Sequence, residues 1–327
     1  MSRTKVCGQA LSRIFMTRKN AFLDQVKKGE SSWWRYLLGL EMVSTVSVLL
    51  PLVILLLFNI TSTSFSDAEL NNCENREISD GHFTSNCVVT VDVLSYFSSP
   101  VSQLILFFSM FPLTILLLWL VLRLIHQRTL STIISWNGTF RWKRFLIGMG
   151  TMFLLMSLFL ALSYFIFPNN FELVWEGKWL FYLIPVIVIL TIQVTAEELF
   201  FRGYVTQTVG YFTRNNIFIL VVPSLLFASI HGFNPEYQSW GWIAILTYFI
   251  IGVFLSIITL LDQGIEIAIG FHLANNLFSG LVLTYPNSAI DFLPAIVRQK
   301  EVFIVYESLT FIVLLILFLI IVYRQRR

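Results

Sequence analysis

The chain contains several apolar segments, each close to the length that crosses a lipid bilayer as a helix. A spanning helix needs about 20 mostly apolar residues. Eight such segments occur, near residues 37–59, 101–125, 145–167, 179–201, 216–232, 240–261, 264–284 and 302–323. Only 13% of the residues are charged, whereas soluble domains average about 25%. These features predict an all-α polytopic membrane protein, a bundle of about eight transmembrane helices.

Charge alternates along the loops and predicts the orientation of the bundle. The basic segment 1–35 has no apolar core of the kind found in a cleavable signal peptide. The segment 60–99 is acidic, and the following loop is basic again. Because Lys and Arg collect on the cytoplasmic side, we predict a cytoplasmic segment 1–35 and a transmembrane domain 36–327. Both termini are then cytoplasmic, and 60–99 is an outer loop.

Two smaller observations accompany this topology. Cys73 and Cys87 lie in the predicted outer loop, where a disulfide would be chemically permitted, but the sequence leaves their pairing open. The net charge of +3 is small and arises from loops that the topology explains. We therefore expect a lipid bilayer as the surrounding medium and no nucleic-acid partner.

Two adjacent carboxylates, Glu197 and Glu198, interrupt an apolar segment. A charge at the bilayer centre costs about 3 kcal/mol even on insertion scales, so ionisable residues there are candidates for function. Arg202 follows Glu198 by one helical turn, which allows the two to pair on one face. We interpret Glu198 and Arg202 as a supporting pair. Glu197 has Phe201 at the corresponding position and is the candidate for chemistry.

Two further motifs place imidazoles in apolar segments. Phe227 and His231 are one turn apart, and so are His272 and Asn276 in a later segment. Together with Glu197 they could supply a general base, a group that orients water and donors to an oxyanion. Those are the needs of water attack on an amide. Taken alone, each histidine could equally serve packing or interhelical hydrogen bonding.

The three motifs in this order resemble the CPBP family. They are Glu-Glu-x-x-x-Arg, then Phe-x-x-x-His about thirty residues on, and His-x-x-x-Asn in a later span. This family, also called Abi, comprises CAAX-processing and bacteriocin-processing intramembrane proteases and is related to the eukaryotic type II CAAX prenyl endopeptidase. The resemblance covers about residues 179–284 and implies an eight-helix core.

The resemblance assigns roles residue by residue. Glu197 resembles the water-activating glutamate and His231 its partner, while His272 and Asn276 resemble an oxyanion pair. The positions that resemble supporting residues are Glu198, Arg202 and Phe227. The resemblance implies a metal-free glutamate mechanism, so no cofactor is expected. The residue types leave open a zinc ion held by Glu197, His231 and His272.

The function implied by the resemblance is that of an intramembrane endopeptidase. Its substrate would be a membrane-associated peptide or protein, processed as in CAAX proteins or as in bacteriocin and leader peptides. The short loops resemble the bacterial branch and so predict a bacterial plasma membrane. The alternative is a non-catalytic membrane regulator or bacteriocin-immunity protein on the same scaffold. A membrane sensor or transporter is a further candidate partner.

The predicted spans place the two candidate motifs at different depths. Glu197 falls near the cytoplasmic end of the fourth span, and His231 falls near the outer end of the fifth. They could meet if the fourth helix extends past Arg202, or if the fifth is tilted or broken near Pro223.

Four other acids lie within or beside the predicted spans. Asp262 and Glu266 are predicted to be solvated at a membrane interface. Glu41 and Glu307 are predicted to pair with polar neighbours, and the sequence leaves open a role for them in a substrate cavity.

Overall fold

The fold is a helical bundle with one small sheet. The computed structural model describes residues 20–62, 109–177 and 179–324, with side chains described except at 51–62 and 324. Within these residues the helices are α1 Trp33–Ser62, α2 Met110–Leu120, α3 Trp142–Ile166, α4 Trp179–Glu198, α5 Thr206–Phe212, α6 Asn216–Ile230, α7 Pro235–Trp240, α8 Trp242–Asp262, α9 Glu266–Leu281 and α10 Ile304–Arg324. The strands are β1 Phe171–Leu173, β2 Leu283–Thr284 and β3 Val297–Gln299. The central strand β3 pairs antiparallel with β1 and parallel with β2.

Helices overlap all eight predicted spans. Five helical segments of the described residues are long and apolar enough to cross a membrane: Trp142–Ile166, Trp179–Phe212, Asn216–Phe233, Trp242–Asp262 and Ile304–Tyr323. The prediction of a helical polytopic membrane protein is thus confirmed, whereas the number eight stays a prediction. The first part of the second span, most of the predicted outer loop, Cys73 and Cys87 lie outside the described residues.

The fourth span is longer than predicted. Helix α4 continues through a π-helical turn, Leu199–Val205, into α5, so one apolar helix of 34 residues runs from Trp179 to Phe212. Glu197 therefore lies near the middle of a long helix. Helix α6 runs through Pro223 to Ile230 without a break. The extension of the fourth helix is thus the alternative that the structure adopts, and π turns of this kind are frequent at functional sites.

Helix α9 lies at the centre of the bundle, and most of its residues are buried. It approaches α3 closely at two glycines. A Cβ atom added to Gly270 would lie 2.2 Å from the carbonyl oxygen of Phe145, and one added to Gly148 would lie 2.5 Å from that of Ile267. Small residues permit such approaches between membrane helices. This contact fixes α9, and with it His272, deep inside the protein.

The turn between α8 and α9 is held by buried ions. Arg141 donates from Nη2 to Asp262 at 2.8 Å and to Glu266 at 2.6 Å, and both carboxylate side chains are fully buried. Arg144 lies 3.5 Å from the second oxygen of Asp262. The prediction that Asp262 and Glu266 are solvated is therefore wrong. Their main partner precedes them by more than a hundred residues, and the local pattern carries no sign of it.

The other two acids pair as predicted. Glu41 accepts a hydrogen bond of 2.8 Å from Thr45 Oγ1 on the same helix. Glu307 accepts one of 2.8 Å from Gln299 Nε2 on β3. Each carboxylate thus has a neutral hydrogen-bond donor as its neighbour.

Candidate active site

One oxygen of Glu197 is fixed and the other is free. Gln193, one turn earlier on α4, donates from Nε2 to Glu197 Oε1 at 2.5 Å. Asn276 on α9 donates to Gln193 Oε1 at 3.0 Å, so the two helices are joined through this amide. The second oxygen, Oε2, is buried and has no hydrogen-bond partner among the described residues. Its facing group is His272 Nε2, at 3.8 Å.

Glu198 binds two cationic or potentially cationic side chains. Its Oε1 atom accepts from Arg202 at 3.0 Å and from His272 Nδ1 at 2.8 Å. The side chains of Glu198 and Arg202 are both fully buried, so the predicted pair is present. An ionised carboxylate only accepts hydrogen bonds, so His272 carries a proton on Nδ1. In neutral His272 the lone pair of Nε2 then faces Glu197.

The ring of Phe227 contacts Arg202 and both histidines of the site. The guanidinium of Arg202 is 4.2 Å from the Phe227 ring centroid. The Phe227 ring is 4.2 Å from the ring of His231 and 6.0 Å from that of His272. A desolvated cation–π contact contributes about 2 kcal/mol. Phe227 therefore contacts both Arg202 and His231.

His231 caps the end of α6. Its Nδ1 atom is 2.7 Å from the Phe227 carbonyl oxygen, to which it donates, and its ring lies 4.3 Å from Tyr248 on α8. The second nitrogen, Nε2, is therefore the acceptor in neutral His231. In the described part of the chain no hydrogen bond or ion pair joins His231 to Glu197. The predicted partnership of these two residues stays a prediction.

Several buried polar atoms of this cluster are unsatisfied. They are Glu197 Oε2, Glu198 Oε2 and the Nε and Nη2 atoms of Arg202, which have no hydrogen-bond partner among the described residues. About 90% or more of buried polar groups in proteins are hydrogen-bonded. Departures from that rule are expected where a protein keeps groups available for function.

The cluster contains two residues that the motifs did not indicate. Gln193 could have been found, because it lies one helical turn before Glu197 in an otherwise apolar segment. Tyr248 carries no local signal, since an aromatic residue in an apolar helix is ordinary packing. Its position beside His231 depends on how α8 packs against α6.

The described residues do not form a recognisable metal centre. Within ranges 20–62, 109–177 and 179–324, no three His, Cys, Asp or Glu side chains form a group that could hold a metal ion. His272 Nδ1 is engaged by Glu198, and His231 Nδ1 by a backbone carbonyl. The zinc alternative and the metal-free expectation both remain to be tested by experiment.

Comparison with known proteins identifies the segment that contains this cluster. Residues 178–278 match the model of a family described as type II CAAX prenyl endopeptidase Rce1-like. The uncharacterized protein YyaK of Bacillus subtilis (strain 168) is 31% identical over 180 residues, which cover 54% of this chain and 60% of that protein. No solved structure matches the chain at a significant level. The resemblance predicted from the motifs is therefore confirmed, and residues 178–278 are similar to Rce1-like type II CAAX prenyl endopeptidases.

Proposed function

We propose that this chain is an intramembrane endopeptidase that hydrolyses a peptide bond of a membrane-associated peptide or protein. The observation that supports this most is the different hydrogen bonding of the two carboxylate oxygens of Glu197. One of its oxygens is held by Gln193, and the other faces His272 Nε2 at 3.8 Å with no hydrogen-bond partner in the described residues. A fixed carboxylate with one free oxygen is suited to act as a general base.

In the proposed reaction, water binds between Glu197 Oε2 and His272 Nε2. A gap of 3.8 Å between two polar atoms is one that a bridging water can serve. Glu197 takes a proton from the water, and the hydroxide oxygen bonds to the carbonyl carbon of the substrate. Glu197 then gives this proton to the amide nitrogen as the C–N bond breaks. The products are a carboxylic acid and an amine, which become a carboxylate and an ammonium group when the acid gives its proton to the amine.

The oxyanion donors are assigned to Asn276 and to His272 in its imidazolium form, because Nε2 can donate only when both ring nitrogens carry a proton. A side-chain amide nitrogen carries two hydrogens, so Asn276 can keep its bond to Gln193 and offer the second hydrogen to the substrate. Glu198 holds His272 by Nδ1 at 2.8 Å, which orients Nε2 toward the reacting atoms. Removing one oxyanion donor typically costs about 10²–10³-fold in rate. His231 Nε2 is assigned to the water or to the substrate backbone.

The position of the cluster supports a membrane-associated substrate. Glu197 is 6% exposed and lies in the middle of a 34-residue apolar helix. Non-helical backbone is tolerated at membrane depth only where protein or a polar cavity surrounds it. A substrate must therefore enter the bundle with its cleaved segment unwound. The proposal covers two kinds of cleaved sequence, CAAX-like and leader-peptide-like.

Comparative peptidomics of membranes tests this function. Membranes with the wild-type protein are compared with membranes carrying Glu197→Ala and the control Glu41→Ala, which changes an exposed acid of α1. We expect specific cleavage products with wild type and the control that are absent with Glu197→Ala. Identical peptides in all three would instead favour the non-catalytic regulator.

A chelator should leave the cleavage products unchanged. Stoichiometric zinc that is lost together with activity would contradict the metal-free mechanism.

A further inference from the structure

A cavity of about 190 Å³ lies beside the candidate active site, between helices α3, α8, α9 and α10. Most of its wall is apolar and includes Phe159, Phe278 and Phe311. Tyr248 and Asn275 form part of the wall as well. The cavity is therefore an apolar space inside the bundle that polar residues of the active-site region border.

The cavity is joined to the catalytic cluster by two contacts. Asn275 donates to Asn276 Oδ1 at 3.2 Å, and Asn276 is the residue that holds Gln193 and thereby Glu197. The ring of Tyr248 lies 4.3 Å from that of His231. A substrate side chain in this cavity would thus belong to a substrate residue whose backbone lies near the reacting groups.

One carboxylate, Glu307, lines the cavity together with Gln299 and Ser308. Gln299 donates to Glu307 Oε1 at 2.8 Å. No described Lys, Arg or His side chain forms an ion pair with Glu307. A carboxylate in apolar surroundings is stabilised by a hydrogen-bonded cation, and an unpaired one is costly. The chemistry that complements this wall is a long aliphatic stem with a cationic end, as in Lys and Arg.

The size of the cavity limits what can enter. Pockets for drug-sized ligands measure about 300–1,000 Å³, and an apolar cavity of about 150 Å³ holds a benzene molecule. A space of about 190 Å³ therefore suits one large side chain. We infer that this cavity is a specificity subsite that takes one Lys or Arg side chain of the substrate, near the cleaved bond, with its cation on Glu307. The inference rests on the proposed endopeptidase function.

The test is a map of cleavage sites in membranes carrying wild type, E307Q, E307K and the control E301Q, which changes an exposed acid outside the cavity wall. Products are defined as peptides absent with E197Q. We expect wild type and E301Q to show Lys or Arg at one fixed position relative to the cleaved bond. E307Q should reduce that preference about tenfold or more, and E307K should replace it with a preference for acidic residues.

A second variant, S308F, tests the subsite without changing its charge. The added ring should fill the cavity and shift that same position from Lys and Arg to small residues. The thermal midpoint of each purified variant shows that the protein remains folded. The inference would be overturned if no fixed position relative to the cleaved bond carried a basic residue, or if the preferred residue at that position were apolar. Equal preferences for Lys and Arg in E307Q and E301Q would overturn it as well. Identical peptides from wild type and E197Q would overturn the proposed function, and the subsite with it.

Discussion

Two buried charge clusters lie in this protein, and they differ in how fully their hydrogen bonds are satisfied. At the turn between α8 and α9, Arg141 donates from Nε and Nη2 to the Glu266 carboxylate and from Nη2 to the Asp262 carboxylate. Its Nη1 atom donates to the backbone carbonyl of Asp262. At the candidate active site, Arg202 forms one described hydrogen bond, from Nη1 to Glu198, and its Nε and Nη2 atoms have no described partner. Both clusters contain two carboxylates; the first contains the guanidinium groups of Arg141 and Arg144, and the second that of Arg202.

The difference indicates what each cluster is for. A buried ion group with all its donors bonded stabilises one arrangement of the backbone, and breaking it strands a charge. A group that leaves acceptors and donors free bears an energetic cost, which is expected at functional sites. The Arg141 cluster is therefore interpreted as structural and the Glu197 cluster as chemical. Substitutions in the two clusters should separate stability from activity.

The largest expected effect on folding comes from Arg141→Ala. It leaves the fully buried carboxylates of Asp262 and Glu266 without their main cation, which should cost about 3–5 kcal/mol. Since domains are stable by only about 5–15 kcal/mol, the yield of folded protein and its thermal midpoint should both fall. The measurement is the yield and thermal midpoint of monodisperse protein in detergent. The control is Lys143→Ala, an exposed cation two residues on. Equal midpoints in the two variants would refute the structural role.

Arg202→Ala should lower both stability and activity. Its loss of stability should be smaller than that of Arg141→Ala. It strands Glu198, which keeps only its hydrogen bond from His272, and removes the cation from the face of Phe227. The double variant Glu198→Gln with Arg202→Gln should recover part of the folded yield without recovering cleavage, because neither charge is then stranded. Arg202→Ala protein that is as stable as wild type yet inactive would place Arg202 among the groups that contact substrate.

The positions of the helices could be predicted from the sequence, whereas the partners of buried charges could not. The apolar segments located every described helix that could span the membrane, because length and hydropathy are local properties. The Glu198–Arg202 pair was equally local, one turn apart on one helix. Asp262 and Glu266 were wrongly predicted to be solvated, since Arg141 reaches them only through the tertiary fold. For the same reason, neither the position of Tyr248 beside His231 nor the cavity that Tyr248 lines could be predicted from the sequence.

Gly270→Ala tests how α9 holds His272 in place. The added Cβ atom would meet the Phe145 carbonyl oxygen at 2.2 Å, so α9 and α3 must move apart. Overpacking of this kind costs about 1–3 kcal/mol, and the shift of α9 should also reduce cleavage. Gly150→Ala is the matched control on α3, because nothing lies within 4 Å of its added Cβ. A thermal midpoint unchanged from that of Gly150→Ala would show that this contact does not position the helix.

The smallest expected effect is a dependence of folding stability on pH that arises from His126. Unlike His272, His126 has a hydrogen-bond partner at both ring nitrogens. Its ring contacts the Glu30 carbonyl and the Tyr204 hydroxyl, each at 2.9 Å. Burial lowers the pKa of His126 from 6.5 to about 4. The stabilisation from neutral His126 is thus complete above pH 6.5 and is lost as the pH falls toward 4.

The measurement for His126 is the thermal midpoint in detergent across that pH range. His126→Gln can still form hydrogen bonds but cannot take up a proton, so its midpoint should fall less steeply with acidification than that of wild type. Parallel slopes for the two proteins would show that His126 does not titrate in this way.

The central claim is that Glu197 is the general base, whereas Glu198 pairs with Arg202 and positions His272. Glu197→Gln keeps the size of the side chain and its contact with Gln193, but it removes the general base. Purified Glu197→Gln should retain the wild-type thermal midpoint and lose peptide cleavage by more than about 10²-fold. Glu41→Gln, the control on α1, should retain both. Near-native turnover by folded Glu197→Gln would contradict the account.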